Sequence, residues 1–328
     1  ADRQARVYGT LDPTFTYSVT AGTLQPGDSL TGTLDRALGE NVGLYAIGQG
    51  TLSAGSNYTL TYVGDNLTIT PTTLTVTADP QTKVYGALDP IFTYTANGFT
   101  NGDTATVFTG ALDRVTGENV GLYAIGQGTL SAGANYTLTY VANNLDITAA
   151  PLTITANDDT RVYGAANPTF TASYTGFVNG DTAASLTTPV ILGTTAVPTS
   201  PVGTYPITAT GATSSNYTIT HVDGTLTVTI APLTVTADPQ TKVYGTLDPV
   251  LTYQITTGAL ASGDSLVGTL DRVAGETVGL YAIGQGTLSA GANYALTYVA
   301  NNLDITAAPL TVTADPQTKV YGTLDPTF

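Results

Sequence analysis

The sequence predicts a mainly β protein made of tandem, small, β-rich modules. Three observations carry that reading. The phrase "TADPQTKVYGTLDP" stands at Thr236–Pro249 and returns at Thr313–Pro326, with edited copies beginning at Thr77 and Thr155. Around it, apolar residues alternate with Thr, as in Leu74, Val76 and Ala78 against Thr75 and Thr77. That is the period-2 pattern of a half-buried strand. Finally, charged residues make up only 10% of the chain against 42% hydrophobic. Thr, Ser, Gly and Asn fill the polar share, residues that suit pleated surfaces and turns.

Two markers set the period. Tyr-Gly falls at Tyr8-Gly9, Tyr85-Gly86, Tyr163-Gly164, Tyr244-Gly245 and Tyr321-Gly322, at intervals of 77, 78, 81 and 77 residues. Asn-Tyr falls at Asn57, Asn135, Asn216 and Asn293, at intervals of 78, 81 and 77. Such a period exceeds one solenoid coil and suffices for a small domain with its own core. The expected modules are residues 1–71, which lack an opening strand, then 72–151, a divergent 152–232, 233–309, and 310–328 as the start of a fifth. Both ends cut through a unit, and the chain contains no Met. The expectation is a segment sampled from a longer array.

Within a module the elements follow in order. Leu74–Ala78 opens as a strand. "DPQTKVYGALDP" reads as a loop with two Asp-Pro turn signals, in which Gly86 supplies a positive φ or a close backbone approach. "IFTYTAN" is a second strand. "NGD" at Asn101, with counterparts at Pro26, Asn179 and Ser262, predicts a helix of one or two turns with the Asp as N-cap. "GALDR", "VGLYAIGQGTL", "YTLTYV" and "NLDIT" complete five or six strands. With one short helix each, the modules read as β-grasp-like; without it, an Ig-like β-sandwich is the alternative.

The linkers carry Pro71, Pro151, Pro232 and Pro309, each in a three-residue joint between flanking strands. Proline fixes φ and extends its predecessor, and a flexible linker would be longer and Gly/Ser-rich. The expectation is an elongated rod of end-to-end modules. At about 33 Å per ten-residue strand, four modules would reach on the order of 130–160 Å.

The opening "LTVTADPQTKVYGxxDP" and closing "NYTLTYVxNNLxIT", joined by Ala-Pro, resemble the MBG domain of YGX type. The resemblance covers essentially the whole chain. It implies tandem stalk or spacer modules, β-grasp-like, in large secreted bacterial surface adhesins or biofilm-matrix fibres. The localisation implied is extracellular, at the bacterial cell surface. The third module departs from the pattern. It lacks the "LDR" and "GEN" elements and carries His221 where the others have Tyr62, Tyr140 and Tyr298.

Charge and composition exclude several classes. A net charge of −15 disfavours nucleic acid and anionic lipid, which need a basic surface. The chain has no Cys, so it offers no disulfide, thiolate metal site or Cys nucleophile. It contains no apolar run long enough to span a membrane. His221, the one His, reads as an aromatic replacement on a strand rather than an acid–base group, and no enzyme is expected.

Asp35-Arg36 with Glu40, Asp113-Arg114 with Glu118, and Asp271-Arg272 with Glu276 read as local ion pairs; a Ca²⁺ site is the alternative. A further Ca²⁺ option is Asn157–Asp159. No cofactor is otherwise expected. Lys83, Lys242 and Lys319 share a position with Arg6 and Arg161, which argues against an obligatory Lys–Asn cross-link and for a cation packing its stem on the sheet. Tyr17, Tyr45, Tyr58 and Tyr62 read as core or half-buried. The "NYT" and "NLT" sequons at Asn57, Asn135, Asn216 and Asn66 read as turn asparagines. The partners expected are neighbouring modules. Extracellular glycan, or self-association through edge strands, are the alternatives.

Overall fold

A computed structural model describes residues 1–327. The second module shows the complete plan. Its strands are β1 (Thr72–Ala78), β2 (Gln81–Val84), β3 (Tyr94–Asn97), β4 (Asp113–Arg114), β5 (Gly121–Gly126), β6 (Tyr136–Val141) and β7 (Asn143–Thr148). They form two sheets, with order β6-β1-β3 in one and β2-β7-β5-β4 in the other. β1 runs parallel to β6, with Leu74 opposite Leu138 and Val76 opposite Tyr140. β2 runs parallel to β7, with Lys83 opposite Ile147. The first and last stretches of the module thus lie side by side, and both switch sheets, at Asp79-Pro80 and at Ala142.

Alternation decides which side chains are buried. Leu74, Val76 and Ala78 of β1, Ile125 of β5, and Leu145 and Ile147 of β7 are at most 1% exposed, while Thr73 and Thr148 face out. The fourth module repeats the plan: one core joins Ala237 with Ile283, Leu303 and Ile305, so both sheets contribute to it. In the third module Ala156 meets Ile207, Ala209 and Leu226 in the same way.

The chain divides into two compact units. One holds Ala1–Leu152, Gly176–Thr187 and Thr213–Ile219; the other holds Thr153–Thr175, Thr188–Ala212 and the chain from Thr220 onward. Their contents do not follow the repeat, and the cores explain why. In the first unit Tyr8, Ile47, Leu67 and Ile69 of module one pack in a single cluster with Leu74 and Tyr136 of module two. In the second, Tyr163, Val228, Leu233 and Tyr294 form one cluster across the third and fourth modules. The expectation of self-contained cores is corrected: apolar burial crosses the module boundary.

Two further expectations change. The short helix expected in each module is absent as such. Among the described residues only single 3₁₀ turns appear, at Ala105–Val107 and Ala183–Ser185. Asn101 (φ 56°) and Gly102 (φ 77°) hold the left-handed region just ahead of the turn, where a right-handed helix does not propagate. The linkers also shrink from three residues to one. Asp65–Thr70 is followed directly by Thr72–Ala78, Asn143–Thr148 by Ala150–Ala156, and Gly224–Thr229 by Ala231–Ala237.

Pro71 is therefore a single-residue connector, while Pro151 and Pro232 lie inside strands, and all three are exposed. The lost donor is tolerated there. Antiparallel partners join only from Thr153 and Thr234 onward, so each proline has an open side. Pro309 is exposed and belongs to no strand.

Candidate functional site at the module joints

Both sequence markers of the period prove to be halves of one joint. In the first three Tyr-Gly pairs the Tyr leaves its own module and seats in the next. Tyr8 packs edge-on to Tyr136 at 5.6 Å between ring centres, Tyr85 to Tyr217 at 5.4 Å, and Tyr163 to Tyr294 at 5.4 Å. Edge-to-face packing suits the ring quadrupoles. The hydroxyls of each pair donate to one carboxylate. Tyr8 and Tyr136 reach Asp103 Oδ2 at 3.0 and 2.7 Å, and Tyr85 and Tyr217 reach Asp181 Oδ2 at 3.0 and 2.7 Å. Tyr163 and Tyr294 reach Asp264 Oδ2 at 2.8 and 2.7 Å.

The Asp of the Gly-Asp motif is thus a receptor for two phenols. The N-cap expected of it passes to Thr104 and Thr182, of which only Thr182 bonds the turn through its side chain.

The Gly of each pair is set by the same contact. Gly9, Gly86 and Gly164 sit at φ 81°, 84° and 83°, in a region where only Gly rests without strain. A Cβ on Gly9 would stand 2.1 Å from Thr100 Oγ1, and one on Gly86 would stand 2.4 Å from Val178 Cγ2. At Gly86 the positive φ expected there is present, and the close approach is to the Val178 side chain.

The Asn-Tyr marker supplies the other half. Asn135 accepts the Val42 N–H on Oδ1 at 2.9 Å, and its amide donates to Asn41 at 2.9 Å. Asn216 does the same to Val120 and Asn119, and Asn293 accepts from Val202 at 3.0 Å. The carbonyls of these three asparagines accept from Thr72, Ala150 and Ala231, which open the first strand of the same modules. The sequons at Asn135 and Asn216 are therefore joint residues.

The strand tyrosines Tyr136, Tyr217 and Tyr294 are shifted upward. Burial, with Asp181 beside it, pushes Tyr217 up to about 12. Burial raises Tyr136 and Tyr294 as well. Asp181 is held below the usual carboxylate range by the Tyr217 hydroxyl first, then by Tyr85.

Among the described residues, two marker tyrosines meet no such partner. Tyr244 is 52% exposed and Tyr321 fully exposed, and Gly245 and Gly322 would meet nothing through a Cβ. At the opposite end of the repeat, Tyr58 donates to Asp28 Oδ2 at 2.6 Å, as Tyr136 does to Asp103.

The charged motifs form a second recurring group inside modules one, two and four. Lys83 lies 2.7 Å from Asp89 and also bonds Glu118; Arg114 closes the ring, 2.6 Å from Asp89 Oδ2 and bonded to Glu118. Arg6, Asp12, Arg36 and Glu40 repeat it, as do Lys242, Asp248, Arg272 and Glu276. Each Arg of the "DR" pair also lies over a Tyr ring, Arg114 over Tyr123 at 5.5 Å. In module three Arg161 instead bonds Asn167 at 2.8 Å and the carbonyls of Val197 and Pro198.

This ring joins residues read separately as an ion pair and as a stem-packed cation. It also bears on cross-linking. Amide formation needs a neutral amine and a protonated acid. Burial opposes the charge on Lys83, but the hydrogen bonds it donates to Asp89 and Glu118 outweigh it and raise its pKa. Arg114 first, then Lys83, lowers Asp89. Both groups stay ionised. The Glu and first-loop Asp carboxylates are taken by cations, and Asp158 and Asp159 bond the Thr225 and Thr160 N–H groups.

Tyr45 and Tyr62 are half-buried and donate to Asn41 and Ile47 carbonyls; Tyr17 is 37% exposed. His221 is exposed on the strand Tyr217–Val222. No described helix is long and apolar enough to cross a membrane.

Fold and joints define a tandem-repeat protein whose modules are linked by a conserved-geometry contact rather than by a free linker. The chain belongs to the family of MBG domains (YGX type), which matches residues 1–68, 74–146, 152–227 and 233–304. That family is not one of enzymes. No curated protein is significantly similar to the chain.

Proposed function

We propose that this chain is a stalk or spacer segment of a large secreted bacterial surface adhesin or matrix fibre, holding a binding region away from the cell. The observation that carries the reading is the Tyr–Asp–Tyr joint, built three times from the same residue types. Each joint combines a single-residue connector, a buried ring pair and an asparagine clamp. Such a joint restrains the angle between neighbours, which is the mechanical requirement of a spacer. Because apolar cores cross the boundaries, neighbouring modules resist force together rather than one at a time. The family membership supports a repeat-module role, and the β-rich modules with short connectors support an extended array.

Small-angle scattering at high dilution tests it, with and without Ca²⁺. A stiff spacer gives a maximum dimension on the order of 130 Å, as ten-residue strands laid end to end require. It is unchanged by the ion. Replacing Tyr8, Tyr85 and Tyr163 together by Ser would convert that profile to a flexible one. A wild-type profile that is already compact or flexible would remove the spacer reading.

A further inference from the structure

We propose that the entering and leaving strands of modules two and four form a mechanical clamp, loaded in shear when a module is pulled through its two ends. In module two the entering segment is β1 followed by β2, and the leaving segment is β6 followed by β7. The two segments run parallel in both sheets, from Thr72 beside Tyr136 to Val84 beside Thr148. The chain enters the module at Thr72 and leaves it at Thr148, so entry and exit lie at opposite ends of the paired strands. Tension between them slides one strand along the other. Parallel strands carry evenly spaced bonds, and sliding strains all of them together. Tension applied to both strands at one shared end would instead break them one at a time.

Module four repeats the plan, with Ala231 beside Tyr294 in one sheet and Lys242 beside Ile305 in the other. Backbone pairing lapses only where the strands change sheet, and a side chain stitches that gap. The Asn143 amide donates to the Ala78 carbonyl at 3.4 Å, and Asn301 donates to the Ala237 carbonyl at 3.3 Å. Module three keeps the parallel pairing of Asp159–Val162 with Leu226–Thr229 and reverses the stitch. There Gly224 takes the place of the Asn, and Asp158 accepts the Thr225 N–H at 2.7 Å.

Both ends of the clamp are sealed. The Thr72 N–H donates to the Asn135 carbonyl at 3.1 Å, and the Tyr85 N–H to the Thr148 carbonyl at 2.8 Å. In module four Ala231 donates to Asn293 at 3.0 Å and Tyr244 to Thr306 at 2.8 Å. One flank of the ladder is dry, since Leu74, Val76, Ala78, Leu145 and Ile147 are at most 1% exposed. A hydrogen bond beside an apolar core is stronger than one in water. The clamp depends on strand order within a module and not on stiffness at the joints. Scattering from the unloaded chain therefore tests the spacer reading, and force on a single module tests the clamp, each without the other.

Single-molecule force spectroscopy of the full chain makes that test. The chain has no Cys, so handles attach only where Cys is introduced. Thr73, Ala134 and Thr148 are all exposed. T73C/T148C pulls module two through its two ends. T73C/A134C pulls the same strands apart from the end where both begin. Forced unfolding follows the unfolding barrier, so at one loading rate the first pair should rupture at several-fold higher force than the second. N143A should lower the force for T73C/T148C and leave that for T73C/A134C unchanged, because peeling reaches Ala78 only after the β1–β6 pairs have opened. Equal forces in the two geometries would overturn the clamp. An equal drop in both on N143A would overturn the part given to Asn143.

Discussion

The Tyr85 hydroxyl donates to Asp181 Oδ2 at 3.0 Å across 96 residues of sequence, and on the same oxygen it meets the Tyr217 hydroxyl at 2.7 Å. One carboxylate thus ties the loop of one module to the sheet of the next. Replacing Tyr85 by Ala should cost about 3–5 kcal/mol, the usual range for deleting a buried aromatic. Y85F should cost about 1.5 kcal/mol, the low end for a bond to a charged group, because Tyr217 still satisfies the carboxylate. Tyr244 is the internal control. It has the same motif but is 52% exposed, so Y244A should stay within about 0.5 kcal/mol. Urea denaturation of the three variants checks the order, and equal losses at Tyr85 and Tyr244 would refute the seating argument.

Glycine separates backbone strain from contact in the same way. Gly86 and Gly245 share a left-handed φ, at 84° and 89°. Only Gly86 faces a neighbour, with Val178 Cγ2 2.4 Å from a Cβ placed there. G245A should cost about 1–2 kcal/mol for the conformation alone. G86A should cost that plus about 1–3 kcal/mol of overpacking. Thermal unfolding of both variants measures the difference, which the joint alone supplies.

Why the joint was hidden from sequence reading follows from these distances. The strands were legible because Leu74, Val76 and Ala78 alternate with Thr locally. Tyr8, Tyr85 and Tyr163 were legible only as markers of a period. Their partners lie 95, 96 and 101 residues away, so no local pattern names them. Asp103 misled for the opposite reason. Local chemistry offered it a helix N-terminus, and the long-range phenols of Tyr8 and Tyr136 took it instead. The prolines were visible, but Pro151 and Pro232 sit exposed inside strands, and the Tyr–Asp–Tyr bonds are made by other residues. The ion ring was half legible: "DR" with Glu four residues on is a local pattern, whereas Lys83 joins Glu118 from 35 residues away.

Alkaline pH should loosen the joints. Burial and Asp181 hold Tyr217 at about 12 in the folded chain, against about 10 for a free phenol. A folded pKa above the unfolded one favours the protonated fold. Its contribution is complete below about pH 10 and is lost as pH rises through about 12. Ultraviolet titration of the phenolates should show a late-ionising class, and Y217F should remove one member from it. The urea midpoint of the wild type should fall over the same window. Ionisation of all tyrosines near the free value would contradict the buried pairing.

Acid should act on the ion rings, with module three spared. Asp248 is held at about 2, by Arg272 first and Lys242 second, and Glu276 is lowered by Lys242, then Arg272. Their folded pKa values lie below the unfolded ones. The stabilisation is therefore present above about pH 4 and is lost as pH falls through about 2. Asp248 is 40% exposed, so water screens the pair and the loss is modest. Module three supplies the comparison, since Arg161 bonds the neutral Asn167 where the others have a carboxylate. The substitution Asp248→Asn copies that arrangement and should make module four less stable at pH 7 but flatter toward pH 2. Carboxyl chemical shifts followed by NMR from pH 6 to 1.5 give the titration directly. An Asp248 midpoint near 4 would mean that the ring is open in solution, and the acid-dependent difference between modules three and four would vanish with it.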